Sequence, residues 1–485
     1  MKTSIKNLFL LPALIAGLGL LPAGRVTAQT FTNLYDFTGF DGAEPAAGLV
    51  LSGDTLYGTA QRGGSWGHGT VFKMNTAGTG FTNLHDFTVT STNSSGVHTN
   101  SDGTYPNGLI LLGNTLYGTA SGGGSAGSGT VFAVNPNGTG FTNLHTFTAA
   151  AGASPHLTNT DGVAPAGGLV LAGNLLFGTT QFGGSAGNGT VFAVNPNGTG
   201  FTILHVFTAT SSLYPNTNSD GANPQAGLLL SGSTLYGTAS QGGSSGSGTV
   251  FKLNTDGTGF TNLHSFNYSS DGANPQAGLI LSGNTLYGTA YEGGSSAYYG
   301  TVFAVSTDGM GFTNLHSFAG HPSDGANPRA DLLLLGSTLY GTAGYGGSSW
   351  QGTVFAVNTD GTGFTNVHNF VFGSDGGNPL AGLILSGHTL YGTAYNGGSY
   401  GDGTVFSLSL GSVSAPVPTL TIVPSGTNVI LTWPTNAAGF TLQSTTNLVS
   451  PAVWSNVSPG PVVVNGQNAV TNPSSGTQKF YRLSQ

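Results

Sequence analysis

Short runs of alternating or continuous hydrophobic residues recur along most of the chain, set apart by clusters of Gly, Asn, Asp and Ser. Four kinds of run return in a fixed order: GLVLSG, TLYGTA, GTVFKMN and FTNLHDF, each with small changes. Their length and their content of branched and aromatic residues predict strands. The first two runs are joined by Gly-Asp, Gly-Asn, Gly-Ser or Gly-His, pairs suited to a two-residue hairpin whose first central position favours glycine. The last two are joined by NPNGTG or NTDGTG, where Asn, Asp and Gly tolerate positive φ.

The four-strand unit is repeated seven times. GTVF begins at Gly69, Gly129, Gly189, Gly248, Gly300, Gly352 and Gly403, and LYGTA or LFGTT precedes each copy. Four antiparallel strands in about 50 residues is the unit of a β-propeller blade. Order along the chain bears on closure. FTNLYDF stands ahead of the first unit, at Phe31 to Phe37, whereas the seventh unit ends after GTVFSLSL with no fourth strand of its own. The expected fold is therefore all-β: a seven-bladed β-propeller closed by an N-terminal strand, followed by a small β-sandwich. A solenoid would want distinct caps at both ends, and here the ends are complementary. Closure removes an open sheet edge, and a monomer is expected.

Composition agrees with this reading. Of 485 residues 83 are Gly, which disfavours helix. No G-x-y period suggests collagen, and 38% hydrophobic residues suffice for a core. Residues 1–28, with Lys2, Lys6, an apolar run and an ending at Ala28, have the form of a secretory signal peptide, so export to the cell surface or medium is expected. No other run has the length of a membrane span. The formal net charge of −8 becomes more negative once Lys2, Lys6 and Arg25 are removed, which argues against a nucleic-acid partner. Cysteine is absent, which excludes disulfides, thiolate catalysis and cysteine-bound metals.

The propeller is expected over 29–410 and a Pro-containing linker over 411–418. Strand-like runs over 419–485 suggest an immunoglobulin-like or fibronectin-like sandwich with Trp433, Trp454 and Tyr481 in its core. The LYGTA, GG and GTVF elements, with their Asp-Gly and FTNLH segments between Ala43 and Phe406, resemble the GloVer tandem-repeat family of exported bacterial proteins, which have a choice of C-terminal anchor. The same order of elements is similar to kelch repeats, with Phe where kelch has Trp. Neither resemblance implies an activity.

Three sets of residues invite a chemical reading. G-x-S-x-G, the pattern of a hydrolase's nucleophile elbow, occurs at Ser65, Ser125, Ser185, Ser244 and Ser399. Nothing after these serines reads as the helix an elbow requires, so a Gly-Ser loop is the favoured reading. His85, His145, His205, His264, His316 and His368 share one place in FTNLHxF, with Tyr35 there in the first copy. One per blade, they are too dispersed to share a metal, and packing is expected of them. Asp41, Asp102, Asp161, Asp220, Asp271, Asp324 and Asp375 precede the innermost strands. Turn formation is favoured for them, with a ring of carboxylates attracting Ca²⁺ as the alternative.

Propeller topology puts those Asp-Gly segments on the same face as the Gly-Gly-Ser loops. That face gathers Trp66, Phe182, Tyr291, Tyr298, Tyr299, Tyr345, Trp350, Tyr395 and Tyr400, with inserts at 88–101, 148–160 and 208–219. Aromatic rings on variable loops over a rigid scaffold are common binding anchors. The expected function is a non-enzymatic binding module for a polysaccharide or surface protein, with Trp66, Tyr298, Tyr299, Tyr345, Trp350, Tyr395 and Tyr400 as ligand contacts. The alternatives are an extracellular lyase or hydrolase and a purely structural surface protein. Glycoside hydrolysis normally needs two positioned carboxylates, and the only glutamates, Glu44 and Glu292, lie in different repeats.

Overall fold

A computed structural model describes residues 29–152, 157–295, 297–411, 420–434, 440–447, 453–458, 460–464, 467–473 and 479–484. The signal-peptide segment and the linker at 412–418 lie outside these residues. The chain divides into two compact units, Gln29–Ser409 and a second that contains Leu410–Gln485. The described residues form strands and no helix.

In the larger unit each repeat makes one antiparallel sheet. The first is representative: Val50–Ser52, Thr55–Ala60, Thr70–Asn75 and Thr82–Asp86 pair in that order. The turn glycine between its first two strands, Gly53, has φ of 57°, as the two-residue hairpin requires. The third repeat adds a short extra strand, Val163–Pro165, at its inner edge. The sheet of the seventh repeat is completed by Thr30–Asp36, which pairs with Thr404–Ser409 from Thr30↔Ser409 to Asp36↔Thr404.

Glycine in TLYGTA has a packing cause. Gly58 lies opposite Phe72, whose ring crosses the position a side chain would take: a Cβ there would stand 2.5 Å from Phe72 Cζ. The same contact recurs in each repeat, for example Gly118 under Phe132 and Gly392 under Phe406. A bulge between the third and fourth strands shifts the register by one residue, so that Val71 faces His85 while Phe72 faces Asn83. Bulges of this kind leave one residue out of the pairing; here it is Leu84, next to the histidine of FTNLH.

That histidine joins neighbouring sheets. His85 stacks on Phe141 of the next repeat at 3.7 Å, and His85, Phe87, Phe132 and Phe141 form one aromatic cluster. The stack repeats as His145 on Phe201, His205 on Phe260, His264 on Phe312 and His316 on Phe364. His368 then stacks on Phe31 of the N-terminal strand, and Tyr35 of that strand stacks on Phe81 of the first repeat. Buried threonines add a second tie between neighbours: Thr59 donates to the Asn107 carbonyl at 3.0 Å, Thr179 to Ala226 at 2.9 Å and Thr342 to Ala381 at 3.0 Å. The corresponding Thr393 hydroxyl, in the seventh repeat, is buried without a partner.

The smaller unit has two antiparallel sheets. One orders Thr421–Ser425, Asn428–Pro434, Gln467–Pro473 and Val462–Val464; the other orders Ser455–Asn456, Thr441–Thr445 and Phe480–Ser484. Leu431, Trp433, Leu442 and Val470 are its buried core, with Tyr481 packed against them. Trp454 differs from the expectation: its ring is half-buried beneath the Arg482 guanidinium, 4.4 Å away, and is no part of that cluster.

Candidate functional site

The loop between the second and third strands turns on glycines with positive φ, 70° at Gly63 and 78° at Gly64. Gly64 donates its N–H to the Gly39 carbonyl at 2.9 Å, which brings the Gly-Gly-Ser loop against the segment that carries Asp41. In the second repeat Asn100 Oδ1 accepts from Gly103 and Gly124 and makes the same junction. Inserts lie here too. A Cβ on Gly127 would touch Val97 of the first insert, and one on Gly246 would touch Pro215 of the third.

Ser65 Oγ donates to Asp86 Oδ2 at 3.3 Å and Ser399 Oγ to Asp36 Oδ2 at 2.8 Å. These hydroxyls tie the loop to the last residue of an outer strand. Neither bonds to a histidine base, and no helix follows them, so the geometry is that of a turn.

Histidines and aspartates, read separately in the sequence, form pairs. His85 Nε2 lies 2.9 Å from Asp102 Oδ2, and the pairs His145–Asp161, His205–Asp220, His264–Asp271, His316–Asp324 and His368–Asp375 fall between 2.9 and 3.1 Å. In the remaining copy Tyr35 Oη donates to Asp41 Oδ2 at 2.6 Å. Asp102 also accepts the Thr88 amide and hydroxyl. Burial by itself would raise the carboxyls of Asp102, Asp161 and Asp220, but bonds from the histidine and the threonine outweigh it and hold them below the usual carboxylate range. Burial lowers the imidazoles of His264 and His368 despite their aspartates. Each carboxylate thus serves its own loop. Among the described residues no group of three or more His, Asp or Glu is placed to hold a metal ion.

The aromatic candidates divide by exposure. Trp66, Tyr298, Tyr345, Trp350 and Tyr400 are exposed. Phe182, Tyr291, Tyr299 and Tyr395 are half-buried. Tyr299 packs over Gly320, and Tyr395 donates to Glu44 Oε2 at 2.5 Å while Glu44 pairs with Arg62 at 2.9 Å. Burial and that bond to Glu44 push the Tyr395 hydroxyl up to about 12.

Two rings stand out by their backbone. The residue two places before GTVF is glycine with positive φ in five repeats: Gly67, Gly127, Gly187, Gly246 and Gly401. In the fifth and sixth it is Tyr298, with φ of 65°, and Trp350, with φ of 63°. A bulky residue there is strained by roughly 1–3 kcal/mol, and such strain collects at functional positions. Tyr298 stacks with Tyr268 at 5.7 Å, and Trp350 stacks on His321 at 4.9 Å with Tyr299 at its edge. The sequence reading missed Tyr268 and His321, and also Tyr214, which is 94% exposed in the third insert. The substitution of aromatic residues for a recurrent glycine was the signal that could have pointed to this cluster.

Beside these loops the larger unit has an open cavity of about 780 Å³, lined by residues of all seven repeats. No helix of the described residues is long and apolar enough to cross a membrane.

Comparison with known proteins bears on family and fold. Among solved structures, the oligogalacturonate lyase of Vibrio parahaemolyticus is 10% identical, with a TM-score of 0.48 over 78% of this chain and 93% of that one. An oligogalacturonate lyase in complex with manganese is 12% identical, with a TM-score of 0.47 over 79% and 93%. The computationally designed Ika8 protein is 16% identical, with a TM-score of 0.42 over 80% and 93%. No curated protein matches the chain. The model of the Gloeobacter/Verrucomicrobia repeat matches residues 17–156, 98–218 and 208–406, and the chain belongs to that family of repeat proteins.

Proposed function

We propose that the protein is an exported binding module whose larger unit is a closed seven-bladed propeller and whose loop-rich face takes a polysaccharide. Closure is supported by the unbroken series of stacks from Tyr35 on Phe81 round to His368 on Phe31. The C-terminal unit is read as an immunoglobulin-like sandwich that spaces or attaches the module.

The observation that carries the binding reading is the pair of left-handed aromatic residues, Tyr298 and Trp350, at a turn position that is glycine in the other five repeats. Both are exposed, and each is backed by a second ring. The apolar faces of pyranose rings stack on such platforms, and Tyr and Trp keep a polar handle for the hydroxyls. Trp66 and Tyr400 extend the same face in the first and seventh repeats.

The test is binding of the mature chain to immobilised polysaccharides, scored together with product release. Retention that is lost when Tyr298 and Trp350 are both replaced by Gly supports the reading. Retention unchanged by that replacement overturns the site, and release of oligosaccharide overturns the non-enzymatic reading.

A further inference from the structure

We propose that the cavity lined by the seven repeats is a second binding site, for a carboxylate-bearing saccharide, in which Arg329 takes the carboxylate. This goes beyond the loop-face reading and rests on Arg329 and Asp331, which that reading does not use.

The sixth repeat departs from its siblings at two positions that line the cavity. After the proline that leads into the inner strand, the residue is Ala46, Asn107, Ala166, Gln225, Gln276 or Leu380 in the other repeats, and Arg329 in the sixth. Two places on, the cavity wall is glycine in five repeats, among them Gly168, Gly227, Gly278 and Gly382, and Asp331 in the sixth. The segment leading into one inner strand therefore brings a cation and an acid to a wall that is otherwise neutral at these positions.

The two groups do not neutralise each other. Among the described residues no carboxylate lies within ion-pair distance of Arg329. Asp331 reaches across to the fifth repeat, where its Oδ1 accepts the Gly278 N–H at 2.5 Å. Its carboxylate is open to the cavity yet crowded by protein, and that crowding pushes the carboxyl up.

An unpaired guanidinium in a chain with 9 basic and 17 acidic residues is a receptor for an anion, and its planar fork matches a carboxylate. The remaining polar groups suit hydroxyls: the amides of Gln225 and Gln276, the Asp331 carboxyl, and the rings of Tyr345 and Tyr395 at the wall. A dianionic phosphate would meet one cation and a nearby acid, whereas a sugar acid presents one negative charge and many hydroxyls. The volume of about 780 Å³ lies within the usual range for such ligands, roughly 300–1,000 Å³.

Titration calorimetry of the full chain with a trisaccharide that carries one hexuronate residue, the matching neutral hexose trisaccharide and inorganic phosphate tests the proposal. Arg329→Gln and Asp331→Gly install residues that sibling repeats already carry, and thermal melts confirm their folding. Saturable binding of the hexuronate, weakened about tenfold or more by Arg329→Gln and several-fold by Asp331→Gly, is the expected result. Absence of hexuronate binding, equal affinity for the neutral trisaccharide, tighter binding of phosphate, or indifference to Arg329→Gln overturns it. Retention of the parent chain on immobilised polysaccharide, scored beside the calorimetry, separates failure here from failure of the loop-face site.

Discussion

The imidazole of His368 lies flat on the ring of Phe31, with centroids 4.0 Å apart and planes within 5° of parallel, although the two residues come from opposite ends of the repeat region. Phe31 also meets Phe370 edge-on at 5.7 Å and stacks on Phe406 at 5.3 Å. This reproduces the cluster of Phe141 with His85, Phe87 and Phe132 between consecutive repeats. Phe31→Ala and Phe141→Ala should therefore destabilise the larger unit by similar amounts, about 2–4 kcal/mol each for a partly buried ring. Urea unfolding followed by intrinsic fluorescence measures both. A much smaller loss for Phe31→Ala would mean that the terminal strand is loosely held.

The Tyr35–Asp41 pair offers a natural experiment on the other six. Tyrosine at that place keeps both interactions of the histidine, the bond to the loop aspartate and the stack on the next repeat's phenylalanine. His205→Tyr should then change stability by no more than about 1 kcal/mol. His205→Ala, which leaves Asp220 short of a partner and Phe260 short of a stacked ring, should destabilise by about 2–4 kcal/mol. Thermal melts of the two variants discriminate this from a role in which only the imidazole will serve.

Acid should act in two stages. His264 and His368 have lowered folded values, so between about pH 6.5 and those values the unfolded chain binds more protons and stability falls as pH falls. Asp102, Asp161 and Asp220 are also held low, so the stability they contribute is present above about pH 4 and is lost as pH drops through their folded values. Melting temperatures should decline modestly from pH 7 to 5.5 and steeply below pH 4. The His264→Tyr/His368→Tyr chain should lose most of the first stage, leaving the share of His68, whose imidazole burial also lowers, and keep the second.

The strands were legible because each is marked locally, by alternation within it and by glycine, asparagine or aspartate at its ends. The completing role of Phe31 to Phe37 was legible because one strand too many at the start matched one too few at the end, and Thr30–Asp36 does pair with Thr404–Ser409. The His–Asp pairs were not. Their partners are 17 residues apart at His85 and Asp102 but 7 apart at His264 and Asp271, because inserts of different length intervene. A contact made across a loop of variable length leaves no fixed spacing to read. Tyr299 and Tyr395 illustrate a second limit: composition placed them on the aromatic face, but only coordinates separate rings folded against Gly320 or Glu44 from the exposed ring of Trp350.

At Trp350 the backbone and the side chain make separable contributions. Trp350→Ala removes the ring but keeps a Cβ at φ of 63°, whereas Trp350→Gly removes both ring and strain. The glycine variant should therefore be more stable than the alanine variant by about 1 kcal/mol, the reverse of the order expected in a helix or strand. Both should lose polysaccharide binding equally, because both lose the surface stacked on His321. The same comparison at Tyr298 should give the same order. If the rings merely fill the loop, the stability order will hold and binding will survive; if they form the platform, binding disappears in all four variants while the glycine chains remain the more stable. Strain retained in two repeats out of seven is then the stability given up for a ligand contact, and calorimetric melts beside a retention assay decide between the two.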